Sequence, residues 1–367
     1  MRLLFLCNTL YQLIGASSIR EMFPSDQADL ILSDHTTGNK KIFDRFQKEK
    51  LIFDNIYYIE TKYLYEYDNR LSNYERNKDY KEDTTISKMI NLNNYDMFFC
   101  ANAEPFSTRV VNYLMHKNKH IQINWFEDGL TAYSFDKCYF PSWKGKIKAE
   151  LKNALGLFGV TSSVSSYYVF QPDKMLWTPK AAIKQIQPIS EKLSIELGQL
   201  FDFSNCVDKY EEKYIFFEDG AMDWSTNADV ELVKVIAEIV GKENIIVKTH
   251  PRNPVNRFKE LGFKTNQDTS IPWEIIASNI DIENKVLISM YSQSVITPEV
   301  LLGRNGIVIA LGDVEGYSDS KVKELFVYIK EQYLNKKRDR YYVPKNVDEL
   351  KDITNVIKEK LFEGGAL

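Results

Sequence analysis

The chain of 367 residues holds four histidines, and one of them has a telling position. The β-branched run Ile245-Ile246-Val247 leads through Lys248 and Thr249 to His250, with Pro251 and Arg252 directly behind. Such a run reads as a buried parallel strand, and the residue just past its carboxyl end stands where open α/β sheets bind ligands. Two acidic turns share this setting. Glu127-Asp128-Gly129 comes just after the run Ile121 to Trp125, and Glu218-Asp219-Gly220 after Tyr214 to Phe217. Glycine allows a sharp turn there, so an acid at the strand's end is delivered to the binding crevice. Carboxylates and imidazoles are the usual agents of proton transfer, and these three positions therefore outline acid and base chemistry. A turn histidine titrating in solvent and ordinary Asp-Gly surface turns are the plainer alternatives.

The elements that must carry these residues alternate. Leu3 to Cys7 reads as a strand, Asn8-Thr9 as the cap of a helix reaching about Met22, and strands recur at Ala28 to Leu32, Ile56 to Ile59 and Met97 to Cys100. Helices are expected between them, which is the rhythm of a parallel sheet covered on both faces. After Pro172, Pro179 and Pro188 the rhythm restarts at Tyr214, with a helix from Ala228 to Val240 stopped by Gly241. The expected plan is α/β: two Rossmann-like domains, residues 1–195 and 196–367, facing a deep inter-domain cleft. A tyrosine-rich stretch from Lys62 to Thr85 breaks the pattern, and its tyrosines fit either sugar stacking or a covered helix surface.

Composition excludes several classes. Hydrophobic residues at 44% and charged residues at 27% are those of an ordinary globular protein. A net charge of -4 argues against nucleic-acid binding, which needs clustered Lys and Arg. Cys7, Cys100, Cys138 and Cys206 are scattered without ligand spacing and read as free thiols of a reducing compartment. Asn8, Thr9 and Gln12 interrupt the apolar start, so it reads as strand and helix rather than as a secretion signal, and a cytoplasmic location is expected. The basic run Asn335-Lys336-Lys337-Arg338-Asp339-Arg340 is a solvated face or, on a weaker reading, a peripheral contact with anionic lipid at the inner face of the plasma membrane.

The order of motifs carries a resemblance. Asn124-Trp125-Phe126-Glu127-Asp128-Gly129, Lys248-Thr249-His250-Pro251-Arg252, Ile271-Pro272-Trp273-Glu274 and Tyr291-Ser292-Gln293-Ser294 follow one another as in the bacterial sialyltransferases. The opening Cys7-Asn8-Thr9-Leu10-Tyr11-Gln12-Leu13 resembles the lipooligosaccharide and capsule enzymes of glycosyltransferase family 52. The stretch from Tyr214 to Asp229 is similar to the Pasteurella-type enzymes. The likeness covers residue 1 to about residue 303.

This resemblance implies a GT-B fold and inverting transfer of sialic acid (Neu5Ac) from CMP-Neu5Ac to a terminal galactose of a surface glycan. In such a displacement a carboxylate removes the acceptor proton while hydrogen-bond donors stabilise the departing phosphate. The catalytic residues carried over are His250, on the phosphate, and Asp128 or Asp219 as base, with Asp223 a weaker choice. The Pasteurella-type register favours Asp128, and the family 52 register favours Asp219. Substrate-binding positions are Asn8, Gln12, Gly129, Lys248, Pro251, Arg252, Glu274 on the ribose, and Ser292 and Ser294 on the phosphate. Gln293 separates serines that adjoin in the family, which leaves their individual places open. A CMP donor has one phosphate and no DxD motif stands at a strand end, so neither a metal nor a cofactor beyond the donor is expected. Family 52 relatives include intertwined dimers, which leaves dimerisation open. The alternatives are a relative using another nucleotide sugar and a non-catalytic sugar- or nucleotide-binding module.

Overall fold

A computed structural model describes the chain except residues 37, 50, 73–74, 76–77, 80–90, 93, 135–142, 180, 207, 221–226, 251, 254, 269, 318–322, 337–338 and 363–367. It divides into two compact units, Met1–Phe201 and Asp202–Leu367.

Among its described residues the first unit is built on seven strands: β1 (Arg2–Cys7), β2 (Gln27–Ser33), β3 (Asn55–Ile59), β4 (Met97–Cys100), β5 (Gln122–Phe126), β6 (Val164–Val169) and β7 (Ala182–Gln185). They lie in the order β3-β2-β1-β4-β5-β6-β7, and every neighbouring pair is parallel. From Leu3 to Cys7 every side chain of β1 is buried, because a parallel sheet is covered on both faces and its inner strands are continuously apolar. Phe5 of β1 stacks on Phe99 of β4 at 4.5 Å between ring centroids. Beneath them, the buried Asp29 accepts from Arg2 Nη2 at 3.0 Å, Asn55 Nδ2 at 2.8 Å and the Tyr95 hydroxyl, tying the entry ends of β1, β2 and β3 together.

Among its described residues the second unit has six strands: β8 (Tyr214–Phe217), β9 (Ile245–Lys248), β10 (Lys264–Asn266), β11 (Val286–Ser289), β12 (Ile307–Ala310) and β13 (Tyr341–Tyr342). Their order is β10-β9-β8-β11-β12-β13, again with parallel pairs throughout. In each unit the winding reverses once, between β1 and β4 and between β8 and β11. Those reversals are the points at which open α/β sheets form ligand crevices.

The strands and helices that frame these reversals follow the sequence expectation. Thr9 caps the helix Leu10–Glu21 by accepting from the Gln12 amide, and Gly241, in the left-handed region, ends the helix Ala228–Val240. Sequence reading missed β7, β10, β13 and the helix Glu191–Leu200. All four residues of β7 are exposed, and β10 and β13 are three and two residues long, so no buried face marks them in the sequence. In the tyrosine-rich stretch the helix Lys62–Arg70 leaves Tyr63 and Tyr67 exposed, with the Arg109 guanidinium 5.6 Å from the Tyr67 ring centre; Tyr74 and Tyr80 lie outside the described residues. Cys7, Cys100 and Cys206 are buried free thiols, and Cys138 lies outside the described residues. Among the described residues no helix is long and apolar enough to cross a membrane.

Candidate active site

In the second unit the site forms at the exit ends of β9, β8 and β11. Glu218 follows β8 and its side chain is fully buried, a placement that is strongly unfavourable for a carboxylate without partners. Two partners meet it. One oxygen accepts from the His250 backbone amide at 3.0 Å, and the other from Arg257 Nη2 at 3.0 Å. Arg257 also pairs with Asp229, so Glu218 shares one guanidinium with a second carboxylate in a chain of three ionic groups.

The next two residues continue the same device. Asp219 accepts from the Tyr291 amide at 3.3 Å and, more weakly, from Ser289 Oγ at 3.5 Å, and Ser289 Oγ in turn accepts from the Ser292 amide at 2.8 Å. Its backbone carbonyl holds Asn253 Nδ2 at 3.0 Å. Gly220 faces the His250 ring so closely that an added methyl group would lie 2.6 Å from Cε1 and 2.8 Å from Nε2. Sequence reading gave Gly220 the same turn role as Gly129. Gly129 does adopt a left-handed φ of 84°, whereas Gly220 is not among the residues with positive φ and is needed for close approach to the imidazole.

The ring itself is oriented. The Arg252 amide donates to His250 Nδ1 at 3.2 Å, which assigns the proton of a neutral imidazole to Nε2. Burial, and secondly the Arg252 charge, lower the His250 pKa, while Glu218 opposes the shift. The shift favours the neutral ring, which in this geometry presents Nε2–H as a donor.

At the exit of β11, Ser292 accepts from the Ser294 amide at 3.2 Å and shares a hydrogen bond with Ser294 Oγ at 3.1 Å. Trp273 Nε1 donates to the Ser294 carbonyl at 2.9 Å while its ring meets Phe217 edge-on at 4.7 Å, so the Ile-Pro-Trp-Glu motif packs beneath the serine turn. Glu274 follows Trp273 in the helix Trp273–Asn279 and interacts electrostatically with Lys248, whose Nζ donates to the Asp268 carbonyl at 3.4 Å. Burial raises the Glu274 pKa and lowers that of Lys248, the directions expected when both charged forms lose water. Arg252 is exposed; Pro251 and Asp223 lie outside the described residues.

In the first unit the exits of β1, β4 and β5 converge. The Asn8 amide donates to Gln12 Oε1 at 2.6 Å, which turns the Gln12 amide nitrogen toward Asp128 Oδ2 at 2.9 Å. Asn8 Nδ2 reaches Glu104 at 2.9 Å and Asn102 at 3.3 Å. Asp128 is partly exposed, and among the described residues no donor meets its Oδ1. Burial raises its pKa, Gln12 and His35 lower it, and Glu104 raises it further. Its neighbour Glu127 is buried, accepting from Tyr11 at 2.9 Å, the Phe170 amide at 2.8 Å and the Tyr133 hydroxyl. Even with these donors burial dominates and holds the Glu127 carboxyl up at about 7.

Residues 3–310 match the family described as alpha-2,8-polysialyltransferase (POLYST). The chain belongs to the alpha-2,8-polysialyltransferase family. It is a glycosyltransferase, and solved structures agree on the fold. Glycosyltransferase VinC in complex with DTDP is 8% identical over 100% of this chain and 92% of that one, with a TM-score of 0.51. Arabidopsis thaliana UGT89C1 complexed with UDP is 10% identical over 99% of this chain and 94% of that one, with a TM-score of 0.50. At such identities the likeness concerns fold alone, the two-unit GT-B plan. Among curated proteins none matches. The likeness to family 52 and to the Pasteurella-type enzymes remains one of motifs.

For this polysialyltransferase-family chain the structure brings His250, Asp219, Ser292 and Ser294 to one switch point, and Lys248 beside Glu274. Asn8, Gln12, Asp128 and Gly129 gather at the other. Sequence reading missed Glu218, Arg257, Glu104 and Tyr133 as partners of the site. The repeated Glu-Asp-Gly was a usable signal for Glu218, but nothing in the sequence pairs it with Arg257.

Two outcomes follow. Burial raises the Asp219 carboxyl to about 7, so its protonated form favours folding: that stabilisation is complete below the ordinary Asp value and is lost as pH rises through 7. Asp219→Asn can keep the bond from the Tyr291 amide and reverse the one to Ser289 Oγ, and its melting temperature is expected to fall less between pH 5 and pH 8 than that of the parent; parallel curves would refute a titrating Asp219. Gly220→Ala is expected to displace the His250 ring, read as altered chemical shift and titration of that imidazole by NMR, in a chain that still folds.

Proposed function

We propose that the protein is an inverting sialyltransferase that moves sialic acid from a CMP-activated donor to a hydroxyl of a surface glycan by a metal-independent single displacement. The observation that carries the reading is the fixed Nε2–H of His250 at the switch point that also holds Ser292 and Ser294. A neutral donor and two hydroxyls suit a single departing phosphate, whose negative charge grows as the bond to the sugar breaks. Once the phosphate is bound its charge raises the pKa of His250, but the Arg252 amide on Nδ1 opposes protonation. The ring then acts as a hydrogen-bond donor rather than as a proton source.

The rest of the donor is assigned by the same logic. Glu274 accepts from the ribose hydroxyls, and Lys248 lies beside the base or phosphate. Arg252, exposed next to His250, is left for the sialic acid carboxylate or the phosphate. For the acceptor, Asp128 is the preferred base. One of its oxygens is fixed by Gln12 and the other is open, whereas both oxygens of Asp219 receive donors from its own unit. Asn8 and Gln12 act by holding Asp128 in place. A CMP leaving group has one phosphate, so His250 and the serines supply the donors it needs without the divalent ion that a DxD motif holds in GT-A enzymes.

Two acceptors come under consideration. Galactose follows from the motif resemblance, while the family description, alpha-2,8-polysialyltransferase, favours a sialic acid terminus. Transfer from CMP-Neu5Ac should be assayed on lactose and on sialyllactose, and the preferred acceptor decides between them. Greater thermal stabilisation by CMP than by UDP is expected beforehand, and the reverse would point to another nucleotide sugar.

His250→Ala is expected to lower turnover by about two to three orders of magnitude, the range for losing one preorganised donor. His250→Gln, which keeps an N–H near the Nε2 position, should recover part of it. Asp128→Asn should abolish turnover while leaving CMP binding intact, and Asp219→Asn should do less. Equal activity of His250→Ala and the parent would overturn the assignment.

A further inference from the structure

The helix Trp143–Ala154 of the first unit carries an apolar stripe that stays exposed among the described residues. Ile147, Leu151 and Leu155 are 49%, 62% and 65% exposed, and their spacing of four residues puts them on one face. The stripe lies on a properly terminated element. Leu155 donates back to Leu151 at 3.1 Å, Gly156 adopts a left-handed φ of 73°, and the Leu157 amide returns to the Lys152 carbonyl at 2.9 Å. That is the Schellman closure of a finished helix. Asn153 Oδ1 accepts from Ser162 Oγ at 3.2 Å, fixing the helix to the next turn.

Charge selects the occupant. The sequence from 143 to 155 holds Lys144, Lys146, Lys148 and Lys152 against Glu150, a net of +3. The whole chain is -4, so the remainder is -7. Aliphatic residues on one face and a lysine-rich helix in an otherwise acidic protein form the pattern of a helix that lies in a membrane interface. A second copy fits poorly, because a symmetric contact would set one +3 helix against another. The basic run at 335–340 is the weaker site: Arg340 already donates to the Glu283 and Asn305 carbonyls at 3.2 and 3.1 Å, and residues 337 and 338 lie outside the described ones.

We propose that the helix Trp143–Ala154 docks the protein on a bilayer containing anionic phospholipid, with Ile147, Leu151 and Leu155 entering the headgroup boundary. The acidic remainder is repelled by the same surface, which orients the first unit toward the lipid. This surface is independent of the donor and the reaction proposed above.

Cosedimentation of the full chain with phosphatidylcholine vesicles, with and without phosphatidylglycerol, tests it. The protein should pellet with the anionic vesicles and leave the neutral ones, and added salt should weaken the association. Ile147→Glu combined with Leu151→Glu should reduce the bound fraction tenfold or more. Lys148→Gln with Lys152→Gln should reduce affinity by roughly tenfold or more, about fivefold per lysine. Unchanged melting curves show that the variants fold, so a loss can be read as a loss of docking. Equal binding by parent and variants overturns the proposal, as does a parent that ignores anionic vesicles. A dimer dissolved by Leu151→Glu without vesicle binding also overturns it and makes a second copy the occupant.

Discussion

The candidate site of the second unit depends on one buried carboxylate. Glu218 has no access to water, so it stays folded in only because Arg257 pairs with it and the His250 amide donates to it. Removing either partner would leave a buried charge or an unmatched amide, penalties of a few kcal/mol each. Because β8 is flanked by β9 on one side and β11 on the other, the residues that leave it can hold both neighbours. Glu218 takes the histidine turn, Asp219 the serine turn, and Gly220 makes room for the imidazole. Three consecutive residues thus fix groups brought from sequence positions 250 and 289–294.

The first unit uses the same three letters differently. Glu127 is again the buried anchor, but tyrosine hydroxyls and an amide surround it where Glu218 has an arginine, and burial outweighs them to hold its carboxyl up at about 7. Asp128 keeps an open oxygen, whereas Asp219 is engaged at both. Gly129 turns the chain through the left-handed region, whereas Gly220 permits a close contact. One short motif therefore yields a candidate base in one setting and a scaffold in the other, and the difference lies in the donors that neighbouring strands bring.

Electrostatics follow from the same packing. Desolvation lowers His250 and Lys248 and raises Asp219, Glu127 and Glu274, each shift favouring the uncharged form. In the displacement proposed above, a phosphate and an acceptor hydroxyl would meet groups already largely withdrawn from water, which favours electrostatic stabilisation.

The sequence by itself determined the two parallel-sheet units, since apolar runs closed by Gly, Pro and acidic turns record burial on both sheet faces. It also located His250, Asp128, Asp219 and the serines at strand exits and Glu274 on a helical turn, because such positions are a matter of local order. Short edge strands such as β7 were invisible, having no buried face. Only the tertiary structure decided which partners these groups meet: Arg257 on Glu218, Gln12 on Asp128, the Arg252 amide on His250 Nδ1. The reason is physical. Hydrogen-bond direction and desolvation depend on residues far apart in the chain that strand order brings together, and no local pattern encodes that order.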